Sequence, residues 1–321
     1  MRHLIAAVIA SALAVPVLAD PGQWRREWPD TDFTRHAVDL SEILSGGPPK
    51  DGIPAIDDPR MVAVAAAAAL PEAEPVMVLE LPGEAARAWP IRYLMWHEIV
   101  NDVVGGVPVA VTFCPLCNTG MVFDRRLDGQ VLSFGVSGKL RHSDMVMYDR
   151  ETESWWQQAL GKAIVGELTG KRLQQLPAWM EAWGTYRARN PRGLVMAEPS
   201  WPRRYGLNPY AGYDSLASPF LYDGAPPPHG IEPLARVVRV GNRAWPLDRL
   251  AAGGEIREAG LILSWAAGQA SALDTAEIAR GHDVGSIRVR DAATGRDLVH
   301  DIPFAFAFHA FHPRGEWMLG N

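Results

Sequence analysis

Two cysteines, Cys114 and Cys117, carry the most reactive side chains of this chain, set three positions apart in the stretch VTFCPLCNTGMVFD. At that spacing the sulfurs can form a tight disulfide, supply half of a tetrahedral metal site, or cycle between dithiol and disulfide. In thioredoxin-like sites the first cysteine opens a helix, but here MVFD resumes a strand pattern just after Cys117. The expected setting is therefore a turn between strands, with backbone N–H groups stabilising thiolate or metal alike. A disulfide closing so small a loop constrains the unfolded chain little, which makes stabilisation alone a weak reason for the pair.

His97, Glu98, Asn101 and Asp102 lie in HEIVND, where spacings of three and four suggest one helical turn. His97 is the expected proton partner of the cysteines, with an acidic neighbour fixing its tautomer and the thiol pKa lowered as a result. The same histidine, with His142, His309 or His312, can complete a zinc or copper site with Cys114 and Cys117. No second Cys-x-x-Cys occurs in the sequence, so the strong four-cysteine zinc signature is absent. A further polar cluster, FGVSGKLRHSDMVMYDRETESWW, offers Ser137, Arg141, His142, Ser143, Asp144, Tyr148, Asp149 and Arg150, and Arg125 stands earlier in a similar FDR. GVSGK lacks the spacing of a nucleophile elbow, so these residues are read as support rather than as a catalytic serine site, with the arginines pairing to aspartates or an anionic ligand. The twelve tryptophans read mainly as core and loop anchors.

These residues must be positioned by short strands. From Val76 onward the sequence alternates in brief runs broken by turn signals such as LDGQ, and one helix is expected from Ala178 to about Asn190, before Pro191. VLELPGEAARAWPIRYL (78–94) is echoed by VVRVGNRAWPLDRL (237–250), a weak internal repeat whose shared core is RAWP. The second copy places Gly253 and Gly254 where the first has His97 and Glu98, and it contains no cysteine.

The fold expected is α+β, dominated by short antiparallel strands with an N-terminal helical arm and a degenerate internal β repeat. Its units are a signal peptide at 1–19, the helical arm at 20–75, a main β-rich domain at 76–200, a Pro/Gly-rich linker at 201–232 and a C-terminal β unit at 233–321. The arm is read as two short helices, the second of them the Ala-rich run after Asp58-Pro59. MRHLIAAVIASALAVPVLAD has the anatomy of a secretory signal cleaved near Ala19, which predicts an exported, periplasmic protein with no transmembrane segment in the mature chain. A net charge of −6 with scattered basic residues lacks the footprint of a nucleic-acid binder.

HEIVNDVVGGVPVAVTFCPLCNTGMVFDR, continuing through FGVSGKLRHSDMVMYDRETESWWQQALGKAIVGELTGKRL, resembles the bacterial family called domain of unknown function 3179. The resemblance covers about Val76 to Pro177 and returns at the closing FAFAFHAFHP. It implies membership of a family without an assigned reaction and names no substrate. From the residues, three functions remain open. The first is thiol/disulfide redox chemistry at Cys114 and Cys117 with an unknown redox partner or small molecule. The second is a zinc or copper module using the same cysteines and His97, and the third is a non-catalytic envelope protein with a structural disulfide.

Overall fold

The computed structural model describes residues 21–67 and 69–320, so the expected signal peptide lies outside the described residues. Five sheets of three to five strands are arranged as a five-bladed β-propeller. Only 16% of the structure is helical, which overturns the α+β expectation.

The first blade is ordered 178–182, 75–79, 87–90, 194–196, 61–63. The second runs 174–175, 119–124, 107–114, 99–104, 56–57, and the third 43–45, 134–141, 144–149, 155–157, 162–165. The fourth joins 237–240 and 243–246 to 316–317, and the fifth is the meander 255–258, 261–266, 286–291. Within the second and third blades Thr119–Asp124 and Asp144–Asp149 are buried at every position. An antiparallel sheet with one wet face would alternate; packing a blade between neighbours covers both faces, so these runs are apolar or internally bonded throughout.

The expected N-terminal helical arm is also corrected. Beyond a short helix, Pro21–Glu27, this part of the chain supplies edge strands to three blades. Ile43–Ser45 pairs with Lys139–Arg141, Ile56–Asp57 runs parallel to Val100–Asn101, and Met61–Ala63 pairs with Leu194–Met196. Among its described residues the Ala-rich run makes a 3₁₀ turn, Val64–Ala66, with no side-chain cap, and no α-helix. Alanine's helix propensity is a few tenths of a kcal/mol per residue, about what one or two sheet hydrogen bonds at a blade edge outweigh.

The two RAWP copies do fold alike. Each is a hairpin, Pro75–Leu79 with Arg87–Pro90 and Val237–Val240 with Arg243–Pro246, followed by a seven-residue helix. Each helix ends on a residue with positive φ, Glu98 at 58° and Gly254 at 71°, and then gives way to a strand. No helix among the described residues is long and apolar enough to cross a membrane.

Candidate functional site

Cys114 closes the strand Val107–Cys114 and pairs with Thr119, so Pro115–Asn118 forms the hairpin turn expected around the cysteines. Asn118 takes the positive φ (54°) that the turn needs, a conformation Asn tolerates better than most residues. Its side-chain amide donates to the Ile302 carbonyl at 2.7 Å, and the Phe304 N–H donates to the Cys117 carbonyl at 2.9 Å, fastening the turn to a distant segment. In the third blade a two-residue turn with positive φ at His142 and Ser143 reverses the chain and starts the next strand at Asp144.

The two turns meet. One ligand atom each from Cys114, Cys117 and Asp144 lies within 4.8 Å of the others. All three residues are buried, at 2%, 0% and 0% exposure, and the cysteines are free thiols. Asp144 forms no ion pair among the described residues; Gln157 Nε2 donates to it at 2.6 Å and the Ala159 N–H at 2.9 Å. Burial lifts its carboxyl to about 6, a rise restrained by those two donors and by the thiols. Burial also raises both thiols, Cys117 well above the ordinary range, and the Asp144 charge raises them further. Burial thus opposes the low-pKa thiolate expected here: it holds both thiols above their ordinary range, while the thiols as hydrogen-bond donors favour the Asp144 carboxylate.

His97 is not among these groups. Its Nδ1 bonds the Pro54 carbonyl at 2.7 Å and its Nε2 the Tyr205 hydroxyl at 2.6 Å, so both ring nitrogens are used away from sulfur. The helix Ile91–His97 stops there and Ile99–Val104 is a strand, so the expected helical turn through 97–102 does not form. Burial lowers the His97 pKa, as it does that of His142. His142 lies 3.7 Å from Glu42 and against Phe311, while His312 stacks on Phe308; neither these nor His309 belongs to the cluster.

Most of the supporting residues hold the blades. Asn101 bridges Asp57 and both backbone groups of Phe134. Asp102 pairs with Arg87 at 2.8 Å and accepts from Trp89 Nε1 at 3.1 Å. Arg125 donates to the carbonyls of Val109, Leu132 and Asp102 instead of to an aspartate. Ser137 bonds the Val146 carbonyl, Tyr148 bonds Asp51, Asp149 caps Thr152 and accepts from Trp156, and Arg150 pairs with Asp57. Ser143, next to Asp144 in the chain, is different, since its buried hydroxyl makes no hydrogen bond among the described residues.

Glu98 is the second departure. It is 9% exposed, lines a cavity of about 370 Å³, and its carboxyl makes no hydrogen bond or ion pair among the described residues. Burial, helped by the nearby Asp144, pushes its pKa up to about 8. Leu116 and Met145, chain neighbours of Cys117 and Asp144, line the same cavity with Tyr210 and Tyr213. These tyrosines fall in the stretch expected to be a linker, where the clustering of Tyr and Gly in NPYAGYD is the available signal, and Asp144 belongs to the polar segment of the sequence but not to the site expected around the cysteines. A second acidic group, Asp214, Asp274 and His282, is already neutralised by Arg236, which sits 2.9 Å from Asp214.

The family described as "Protein of unknown function (DUF3179)" matches residues 50–315. No curated protein and no solved structure matches the chain.

Proposed function

The chain belongs to the DUF3179 family, whose description assigns no reaction, and on the geometry we propose that Cys114, Cys117 and Asp144 bind a zinc-class metal ion. The observation that carries this reading is the packing of three acidic ligand atoms within 4.8 Å, all buried, with no ion pair to Asp144 among the described residues. Burial disfavours the charged forms of all three groups, and a dication bound between them would offset that cost by taking the place of their protons. Two thiolates on zinc stand about 3.8 Å apart, within the spacing available here. A carboxylate as third donor suits zinc, of borderline softness, better than Cu(I). Three protein ligands leave one position for water or a bound molecule, the count found in catalytic rather than structural zinc sites. Leu116 and Met145, the chain neighbours of Cys117 and Asp144, line the cavity that Glu98 also lines, which favours a metal used in chemistry on a small molecule.

Thiol/disulfide exchange is the second reading, favoured by two free, adjacent sulfurs. Oxidation of the pair releases two electrons and two protons, which a disulfide substrate takes up as it is reduced to two thiols, and the near-complete burial of both sulfurs favours a small disulfide over a protein one. Export, suggested by the first residues, would place either chemistry outside the cytosol, where an unmetallated pair is readily oxidised.

Elemental analysis of the full chain purified with zinc should find about one ion per molecule. Cobalt(II) should give thiolate-to-metal charge-transfer absorption. Cys114→Ser, Cys117→Ser and Asp144→Asn should each weaken zinc binding at least about tenfold, more than the loss of an outer-shell partner does. Failure to bind zinc or cobalt, with reversible two-electron oxidation of the pair, would overturn the metal reading and leave the redox one.

A further inference from the structure

Beyond the sulfurs, the cavity itself has the construction of a ligand site. Its walls are mostly apolar, with Ile53, Leu116, Val136 and Met145 among them, and its volume of about 370 Å³ lies in the range of small-molecule pockets. Leu216 and Phe220 line it while remaining 53% and 45% exposed, so the cavity reaches solvent through an apolar mouth. Against this lining stand two polar groups with nothing to bond. The Glu98 carboxyl has no hydrogen-bond partner among the described residues, and neither has the Tyr210 hydroxyl. An unpaired polar group in such surroundings costs about 1–3 kcal/mol, and a buried acid without a cation resolves part of that cost by keeping its proton.

A neutral carboxyl and a phenol each present one O–H donor, and a carbonyl oxygen has two lone pairs to receive them. We propose that this cavity binds a small, largely apolar carbonyl compound whose oxygen accepts hydrogen bonds from the Glu98 carboxyl and the Tyr210 hydroxyl. A carboxylic acid kept neutral beside a tyrosine is an arrangement that also stabilises negative charge developing on that oxygen, as in ketosteroid isomerase. The Glu98 pKa of about 8 agrees with a donor that is protonated at neutral pH, and burial likewise raises the Tyr210 phenol. The backbone adds a separate argument. Glu98 occupies, at φ 58° and ψ −35°, the position where the duplicate hairpin has Gly254 at φ 71° and ψ −29°. A strained side chain held where glycine suffices marks a site at which stability has been given up for placement of that group. The cavity, its apolar lining and the unpartnered Glu98 and Tyr210 groups are features separate from the cysteine pair.

The test compares benzylacetone with butylbenzene, the same skeleton lacking the carbonyl, for binding to the full chain by NMR titration. Benzylacetone should bind about tenfold more tightly, the worth of one to two net hydrogen bonds. Its isotope-labelled carbonyl carbon should shift downfield on binding. Glu98→Gln keeps an N–H donor and should keep the preference; Glu98→Leu should abolish it while butylbenzene still binds. Tyr210→Phe, which changes only a hydroxyl, serves as an independent variant and should reduce the preference several-fold. A merely structural role for either residue would alter both probes together. Equal binding of the two probes, binding of neither, or a preference unchanged in both Glu98→Leu and Tyr210→Phe overturns the proposal. Zinc content is read on the same samples, and its failure leaves the probe comparison intact.

Discussion

Position 98 concentrates the energetic cost of this molecule in one residue. The φ of 58° costs a non-glycine residue about 1–3 kcal/mol, and the buried carboxyl adds to it. Glu98→Gly should therefore stabilise the chain by about 1 kcal/mol, after the greater chain entropy of glycine is subtracted, in denaturant unfolding. The same residue sets a pH dependence. With a native pKa raised to about 8, the folded chain holds a proton that the unfolded chain releases from about 4.5 upward. The stability contributed by this proton is complete below about 4.5 and is lost as pH rises through about 8. Asp144, raised to about 6, acts in the same direction over a lower window. Chelator-treated protein should thus unfold at lower denaturant at about pH 9 than at about pH 5, and Glu98→Gln should flatten the upper part of that slope.

At the scale of elements, the duplicated hairpins share a device that RAWP alone does not reveal. Trp89 Nε1 donates to Asp102 at 3.1 Å, and Trp245 Nε1 donates to Glu258 at 3.3 Å, in each case thirteen residues further along the chain. The tryptophan of the hairpin is locked to the strand after the helix, so Asp102 is explained by architecture and the acid nearby that lacks such a partner is Glu98. Trp89→Phe and Trp245→Phe should each cost about 1 kcal/mol or more by thermal unfolding, with the larger loss at Trp89, whose acceptor also pairs with Arg87. The repeat was legible because its turn glycine, tryptophan and proline act locally, and the cysteine turn was legible because PLCN sits between two apolar runs. Asp144 was not, since the third blade brings it to sulfur and no spacing along one strand encodes that meeting. His97 misled for a related reason. The helix ends on it, the positive φ at 98 redirects the chain, and a period of 3.6 gives way to a period of two.

For the molecule as a whole, the strands missed in sequence are those that tie the propeller together. Ile43–Ser45, Ile56–Asp57 and Met61–Ala63 are too short to announce themselves by alternation, and each is a strand only because a blade edge awaits it. Removing residues 21–63 should leave three blades with bare edges; the shortened chain is expected to lose its single cooperative unfolding transition and to aggregate, checked by circular dichroism with size-exclusion chromatography. The closing strand Glu316–Trp317 lies parallel to Arg243–Ala244, so both ends of the described chain finish sheets begun elsewhere. This wiring fixes an order of events in time. Ile43 must wait for Arg141 and Met61 for Met196, so these early-made strands complete their pairing only after about a hundred or more further residues have been added. Such long waits slow folding, and until the partners arrive the early segment remains open to proteases and chaperones.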